Sequence, residues 1–382
     1  MRRQSTIVAG AACALVLGAA AVPASAQSGS KLRTVADGFD GPRGVASVRP
    51  GVTIVAEADG TINLVRERRH HRPARVRELT SVPTLFAPAV AVGRHRTVYI
   101  LTGAATDPDN DGPVEVPEAV AEAAQKLYKW RPGWKRPHLM ADIAAYQETD
   151  PDPYDQEDNP TDSNPFGVAA LRNGSVLVSD AAGNDLLKVR RNGKIKTVAV
   201  LKPRTVTVPK GLPTTDPEGN PLPFPPAGTK VRSEAVATSV TVGKDGYYYV
   251  GELRGFPATP GKSQIWRIHP RATDAVCNPK APKAGRCKRY ADGLTSIVDL
   301  APGKRGSVYA LSLSKKSWLQ FELGVEGADV GGLFKVSRWG HHRRELAAGR
   351  LKTPGAVDTA RNGSIYVTGP VFGPGSLFKL RR

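Results

Sequence analysis

One four-strand pattern recurs from residue 41 to the C-terminal end, and it constrains the fold more than any other feature of the chain. Each copy opens on a short apolar strand centred on a valine, at Val45, Val90, Val168, Val240, Val298 and Val357, so the centres step by 45, 78, 72, 58 and 59 residues. A glycine turn follows most of them, as in Asn173-Gly174, Asp245-Gly246, Arg305-Gly306 and Asn362-Gly363, which predicts two-residue hairpins. The second strand is β-branched and aromatic, at residues 53–56, 97–101, 175–179, 247–250, 307–311 and 364–367. The third reads apolar, apolar, basic, apolar at 127–130, 186–189, 265–268, 333–336 and 377–380, with 62–65 a looser copy. A fourth strand completes five copies, at 76–79, 139–143, 195–200, 287–291 and 344–348. The sixth copy lacks one, and residues 32–36, just before the first copy, resemble the missing strand.

Six four-stranded units permuted in this way predict an all-β fold, a six-bladed β-propeller whose last blade is closed by the N-terminal strand. Closure hides the strand edges that would otherwise pair with other chains. Composition agrees: 39 Gly and 32 Pro suit short strands joined by turns, and 40% hydrophobic residues suffice for a large core. With 23% charged residues the chain is not a polytopic membrane protein.

The N-terminus reads as an export signal, with Arg2 and Arg3, an apolar run over residues 7–22, and Ala24-Ser25-Ala26 at the cleavage position. Residues 1–26 are expected to be removed, leaving residues 27–382 as one propeller domain with no transmembrane segment, secreted or associated with the cell envelope. An oxidising destination predicts a disulfide between the two remaining cysteines, Cys277 and Cys287, across a Pro-, Gly- and Lys-rich loop. Losing Arg2 and Arg3 lowers the formal charge of +19 to +17. That excess is suited to an anionic cell-envelope polymer, and no nucleic-acid-binding fold accompanies it.

In a propeller the turns between strands one and two and between three and four share one side of the disc. The long connections, residues 102–125, 201–236, 252–263, 312–331 and 368–375, all belong to the other side. Loops on a rigid scaffold are the usual place for binding and catalysis, so this side is the expected functional face. Near the starts of its inner strands stand Glu57, Asp162, Asn164, Asp180, Asn184, Asp185 and Glu252. Such oxygen-rich side chains either ligate Ca²⁺ or another divalent metal, or hold a small molecule or glycan, or cap turns. Residues 107–118 match a calcium-loop pattern at Asp107, Asp109, Asp111 and Glu118, although no helix precedes them and three prolines interrupt them. The glycines of Gly255 and Gly261-Lys262-Ser263 are one residue too far apart for a phosphate loop, and a strand follows. No serine-hydrolase elbow, zinc-protease motif or dinucleotide fingerprint is present. The histidine pairs His70-His71 and His341-His342 lie in basic loops and read as solvated.

Three segments carry a resemblance: Asp162-Ser163-Asn164-Pro165-Phe166-Gly167-Val168, Asp180-Ala181-Ala182-Gly183-Asn184-Asp185-Leu186-Leu187, and Tyr248-Tyr249-Val250-Gly251-Glu252-Leu253 with Gly255-Phe256-Pro257. With residues 141–146 upstream, their order resembles the ScyD/ScyE family, exported bacterial propellers related in architecture to NHL-repeat and gluconolactonase-like propellers. The resemblance implies the propeller fold and export; it assigns no reaction. Two functions are expected: a binding scaffold for a small molecule, glycan or protein on the loop-rich face, or a lactonase-like metal-dependent hydrolase with Glu57, Asn164, Asp180 and Glu252 as ligands or bases. No catalytic residue is identified by motif.

Overall fold

The computed structural model describes residues 32–68, 72–105, 116–216 and 219–380. They form a six-bladed β-propeller. The export signal, Asp107, Asp109, Asp111, His70 and His71 lie outside the described residues.

Blade 1 comprises Gly44–Arg49, Val52–Ala56, Thr61–Arg66 and Arg75–Ser81; blade 2 comprises Ala89–Val92, Val98–Leu101, Lys126–Trp130 and His138–Asp142. Blade 3 is Pro165–Ala170, Val176–Asp180, Asp185–Val189 and Thr197–Leu201, and blade 4 is Ala237–Val242, Tyr248–Glu252, Ser263–Ile268 and Cys287–Leu294. Blade 5 is Ile297–Pro302, Val308–Ser312, Gly332–Val336 and Arg343–Leu346. Blade 6 takes Ala356–Thr359, Ile365–Gly369 and Pro374–Leu380 from the C-terminal end and its outermost strand, Leu32–Asp40, from the N-terminal end. The closing pair is antiparallel, with Leu32 opposite Leu380 and Asp40 opposite Pro374. Glu67 of blade 1 fastens it, accepting from Arg33 at 2.5 Å and from Lys379 at 2.8 Å.

The core consists of the wedges between neighbouring blades. Strand alternation sends Val55, Ile100, Val178, Val250 and Val367 toward the preceding blade, and their sequence neighbours toward the next. Near the axis the strands crowd so closely that a Cβ on Gly167 would lie 2.8 Å from the Ser239 backbone.

Three local features differ from the sequence reading. Only blade 1 joins its first and second strands by a two-residue turn, with Arg49 opposite Val52. In blades 2 to 6 five residues separate the paired ends, as in Ala170 opposite Val176 and Thr359 opposite Ile365. The reason is that the first and last turn residues are themselves bonded, Leu171 N–H to the Ser175 carbonyl for example, and only then does a left-handed Gly174 reverse the chain. Second, Ala275–Cys277 pairs in parallel with Thr197–Leu201, so the disulfide loop adds a fifth strand to blade 3. The Cys277–Cys287 bond itself is present, with Cα atoms 5.0 Å apart. Third, the 201–236 connection contains a hairpin of its own, Arg204–Thr207 with Lys230–Ser233.

Candidate functional site

The seven candidate residues on the loop-rich face fall into separate groups. In blade 3 the second strand ends on Asp180 and the third begins on Asp185, directly opposite one another. Asp180 is fully buried. One of its oxygens accepts from the Asn164 N–H at 2.7 Å and from the Ala182 and Gly183 N–H groups at 3.2 Å; the other accepts from the Ser163 hydroxyl at 2.6 Å. It therefore fastens the segment preceding the first strand of blade 3 onto its 180–184 turn. The Gln147 amide, from the short helix Ala144–Gln147, lies between the two carboxylates at 3.4 Å and 3.3 Å. Burial, and then the neighbouring Asp180, push the Asp185 carboxyl well above its usual range, and one Asp185 oxygen has no partner.

Asn184, buried with a positive φ of 49°, holds three segments together. Its amide donates to Asp152 at 3.1 Å and to the Ala182 carbonyl at 2.9 Å, and its carbonyl accepts from the Val236 N–H at 2.7 Å. Asn164 accepts from Ala104 N–H at 3.2 Å, and Asp162 from the adjacent Ser163 N–H at 2.7 Å. Nearby, burial followed by repulsion from Glu157 and Asp152 raises Glu234 to about 7.

Glu252 ends the second strand of blade 4 and is also fully buried. It accepts from the Trp266 indole N–H at 2.6 Å, from the Gln264 N–H at 3.1 Å and from the Arg254 guanidinium. Arg254, 1% exposed, in turn donates to the Ser233 and Glu234 carbonyls at 3.0 Å. The pair therefore ties the Lys230–Ser233 hairpin strand to blade 4. Glu57 stands apart on blade 1, accepting from the Asp40 N–H at 2.7 Å and from the Asn63 amide. Glu118 lies in the first turn of the short helix Glu118–Ala123, which leaves the calcium-like segment.

The oxygens of Glu57, Asp180 and Glu252 thus point into the protein's own donors instead of converging on one point. Among the described residues no three or more His, Cys, Asp or Glu side chains are grouped to hold a metal ion. Engaged in this way, Glu57, Asp180 and Glu252 are not disposed to share a divalent metal.

The sequence reading missed the residues on the axis. A channel of about 270 Å³ runs between the six inner strands. At its loop-rich mouth Arg43 of blade 1 reaches across to blades 2 and 3, donating to the Ala87 carbonyl at 3.0 Å and to the Phe166 carbonyl at 2.5 Å, with its guanidinium 3.6 Å from the centre of the Phe166 ring. Burial lowers Arg43 to about 10, against the opposing pull of Asp299. Deeper in the channel, Asp299 bridges blades 5 and 6 by accepting from Val357 N–H at 2.7 Å, and Asp358 bridges blades 6 and 1 by accepting from Ser47 N–H at 2.6 Å. Burial raises Asp299 to about 7 and Asp358 to about 6. The signal was visible: blades 1 to 3 carry Gly44, Ala89 and Gly167 at the register position of Asp299, and Ala46, Ala91 and Ala169 at that of Asp358.

No family model matches the chain, and no curated protein sequence matches it. Solved propellers do match in fold. A glucose dehydrogenase is 12% identical with a TM-score of 0.55, over 92% of this chain and 99% of that one. A gluconolactonase from Xanthomonas campestris is 11% identical with a TM-score of 0.52, over 92% and 89%. An aldose sugar dehydrogenase from Streptomyces coelicolor, solved with PQQ, is 12% identical with a TM-score of 0.51, over 94% and 100%. At these identities the likeness concerns architecture alone.

Proposed function

We propose that this protein is an exported propeller of the ScyD/ScyE type that acts as a binding scaffold, holding a small molecule, glycan or protein on its loop-rich face. The observation that carries this reading is the engagement of Glu57, Asp180 and Glu252 by internal donors. A metal-dependent hydrolase needs such oxygens free for an ion or a water. The reading includes residues 1–26 as the cleaved signal and residues 27–382 as one domain. The opposite face, whose turns carry Arg94, Arg172, Lys244, Lys304 and Arg361, would recruit an anionic cell-envelope polymer in a salt-dependent way.

A second reading has one observation in its favour. Asp299 and Asp358 are two channel carboxylates whose ionisation falls near neutrality, a property of general acids and bases. Assaying glucono-δ-lactone hydrolysis with and without Ca²⁺ separates the two. The scaffold reading expects no rate above the spontaneous one; a metal-stimulated rate that disappears in Asp299→Asn would establish the hydrolase instead.

A further inference from the structure

The blade interfaces are not equivalent, and the odd one opens on the basic face. The second-strand residue just before the one that faces the preceding blade points at the next blade, and in blades 2, 4, 5 and 6 it is a tyrosine: Tyr99, Tyr249, Tyr309 and Tyr366. These rings fill the tight-turn ends of the interfaces between blades 2 and 3, 4 and 5, 5 and 6, and 6 and 1. Blade 3 has Leu177 there, but Tyr248 enters the same interface from blade 4. All five rings are buried. Between blades 1 and 2 the corresponding residues are Ile54 and Val98, and neither is a tyrosine.

A cavity of about 260 Å³ occupies that place. Its floor is apolar, formed by Val48, Val52, Ile54, Leu64, Val98 and Trp130. Arg49, Arg66, Arg77 and Arg96 line its rim, with Glu78 the single acid in the lining. All four arginines are exposed, and none forms an ion pair with a described residue. Four guanidinium groups around one opening repel one another, and an anion seated among them relieves that repulsion while accepting paired N–H bonds. The volume lies just below the roughly 300 to 1,000 Å³ usual for small-molecule pockets, so the apolar body of the ligand must be small.

We propose that the interface between blades 1 and 2 is a binding site for an anionic amphiphile, an apolar chain or ring system carrying one carboxylate or phosphate. The chain packs on Ile54, Leu64 and Trp130, and the anion meets the arginine rim. This site lies on the opposite side of the disc from the loop-rich face, and the proposal stands whether or not that face binds anything.

The test is calorimetry of the purified protein with decanoate below its micellar concentration, and with decanol as the uncharged control. Decanoate is expected to bind at one site and at least tenfold more tightly than decanol. Ile54→Tyr installs the residue that four other blades carry and should weaken decanoate at least tenfold without lowering the melting temperature. Val98→Tyr, the arrangement of blade 4, fills the cavity from the other wall and serves if Ile54→Tyr does not fold. Arg49→Gln with Arg96→Gln should weaken decanoate and leave decanol unchanged. Co-sedimentation with phosphatidylglycerol vesicles identifies the source. Binding unaffected by the filled cavity assigns a free amphiphile, and binding lost with it assigns a membrane lipid. No decanoate binding, equal affinity for decanol, or decanoate affinity indifferent to both tyrosine variants overturns the proposal.

Discussion

The two ends of the propeller use charge in opposite ways. At the loop-rich end the acids are buried and engaged: Asp180 and Glu252 each accept hydrogen bonds from groups that hold a long connection against a blade. At the tight-turn end Arg49, Arg66, Arg77 and Arg96 are exposed, form no ion pair with a described residue, and surround an apolar cavity at a place that the other interfaces fill with tyrosine. The difference teaches that richness in carboxylates and amides is a poor guide to a site in this fold. Long connections must satisfy their backbone groups somewhere, and buried acids at strand ends do so. Short turns need no such support, so their charges are left for solvent or a ligand.

Removing residues 27–38 should have the largest effect, because it deletes most of the strand that completes blade 6 and releases Glu67 from Arg33. Thermal melting should lose its cooperative native transition; an unchanged melting curve would show that the ring does not depend on this closure. Next comes Glu252→Gln, which leaves Arg254 buried without its countercharge and should cost about 3 kcal/mol in urea unfolding. The matched change at the other end, Arg77→Gln, should stay within about 0.5 kcal/mol. Similar costs for the two would remove the distinction between the ends.

A smaller effect than that of Glu252→Gln concerns the channel. Asp299 and Asp358 titrate at about 7 and about 6 in the folded protein, above the value of about 4 expected in an unfolded chain. The folded state therefore holds more protons between pH 4 and 7, and stability falls as pH rises through that window. Because both carboxylates face the channel lumen, the loss should be only on the order of 1 to 2 kcal/mol. Asp299→Asn costs a backbone acceptor at every pH, so the diagnostic quantity is the slope, which should flatten. A slope equal to that of the parent protein would mean that Asp299 is ionised throughout.

Strand positions were legible because each repeat carries a valine centre, a β-branched second strand and a basic residue in the third, and these patterns alternate with the pleat. The closing strand and the disulfide were legible for the same kind of reason, one from a missing fourth strand and the other from cysteine count and the expected export signal. The candidate acids were located at the correct strand ends, yet their partners were invisible. Gln147 approaches Asp185 from 38 residues away, and Trp266 reaches Glu252 only through strand register. Arg43 gave no local signal, since its role depends on blades 2 and 3 meeting at the axis. The tyrosines at 99, 249, 309 and 366 were present in the second strands, but Ile54 becomes an exception only once pairing shows that it occupies their position.

The central claim is that the loop-rich carboxylates hold the protein together and do not ligate a metal. Metal analysis of the purified protein after equilibration with Ca²⁺, repeated on Asp180→Asn and Glu252→Gln, tests it most directly. Neither substitution is expected to change the metal content. One ion per chain in the parent protein, lost in either variant, would contradict it.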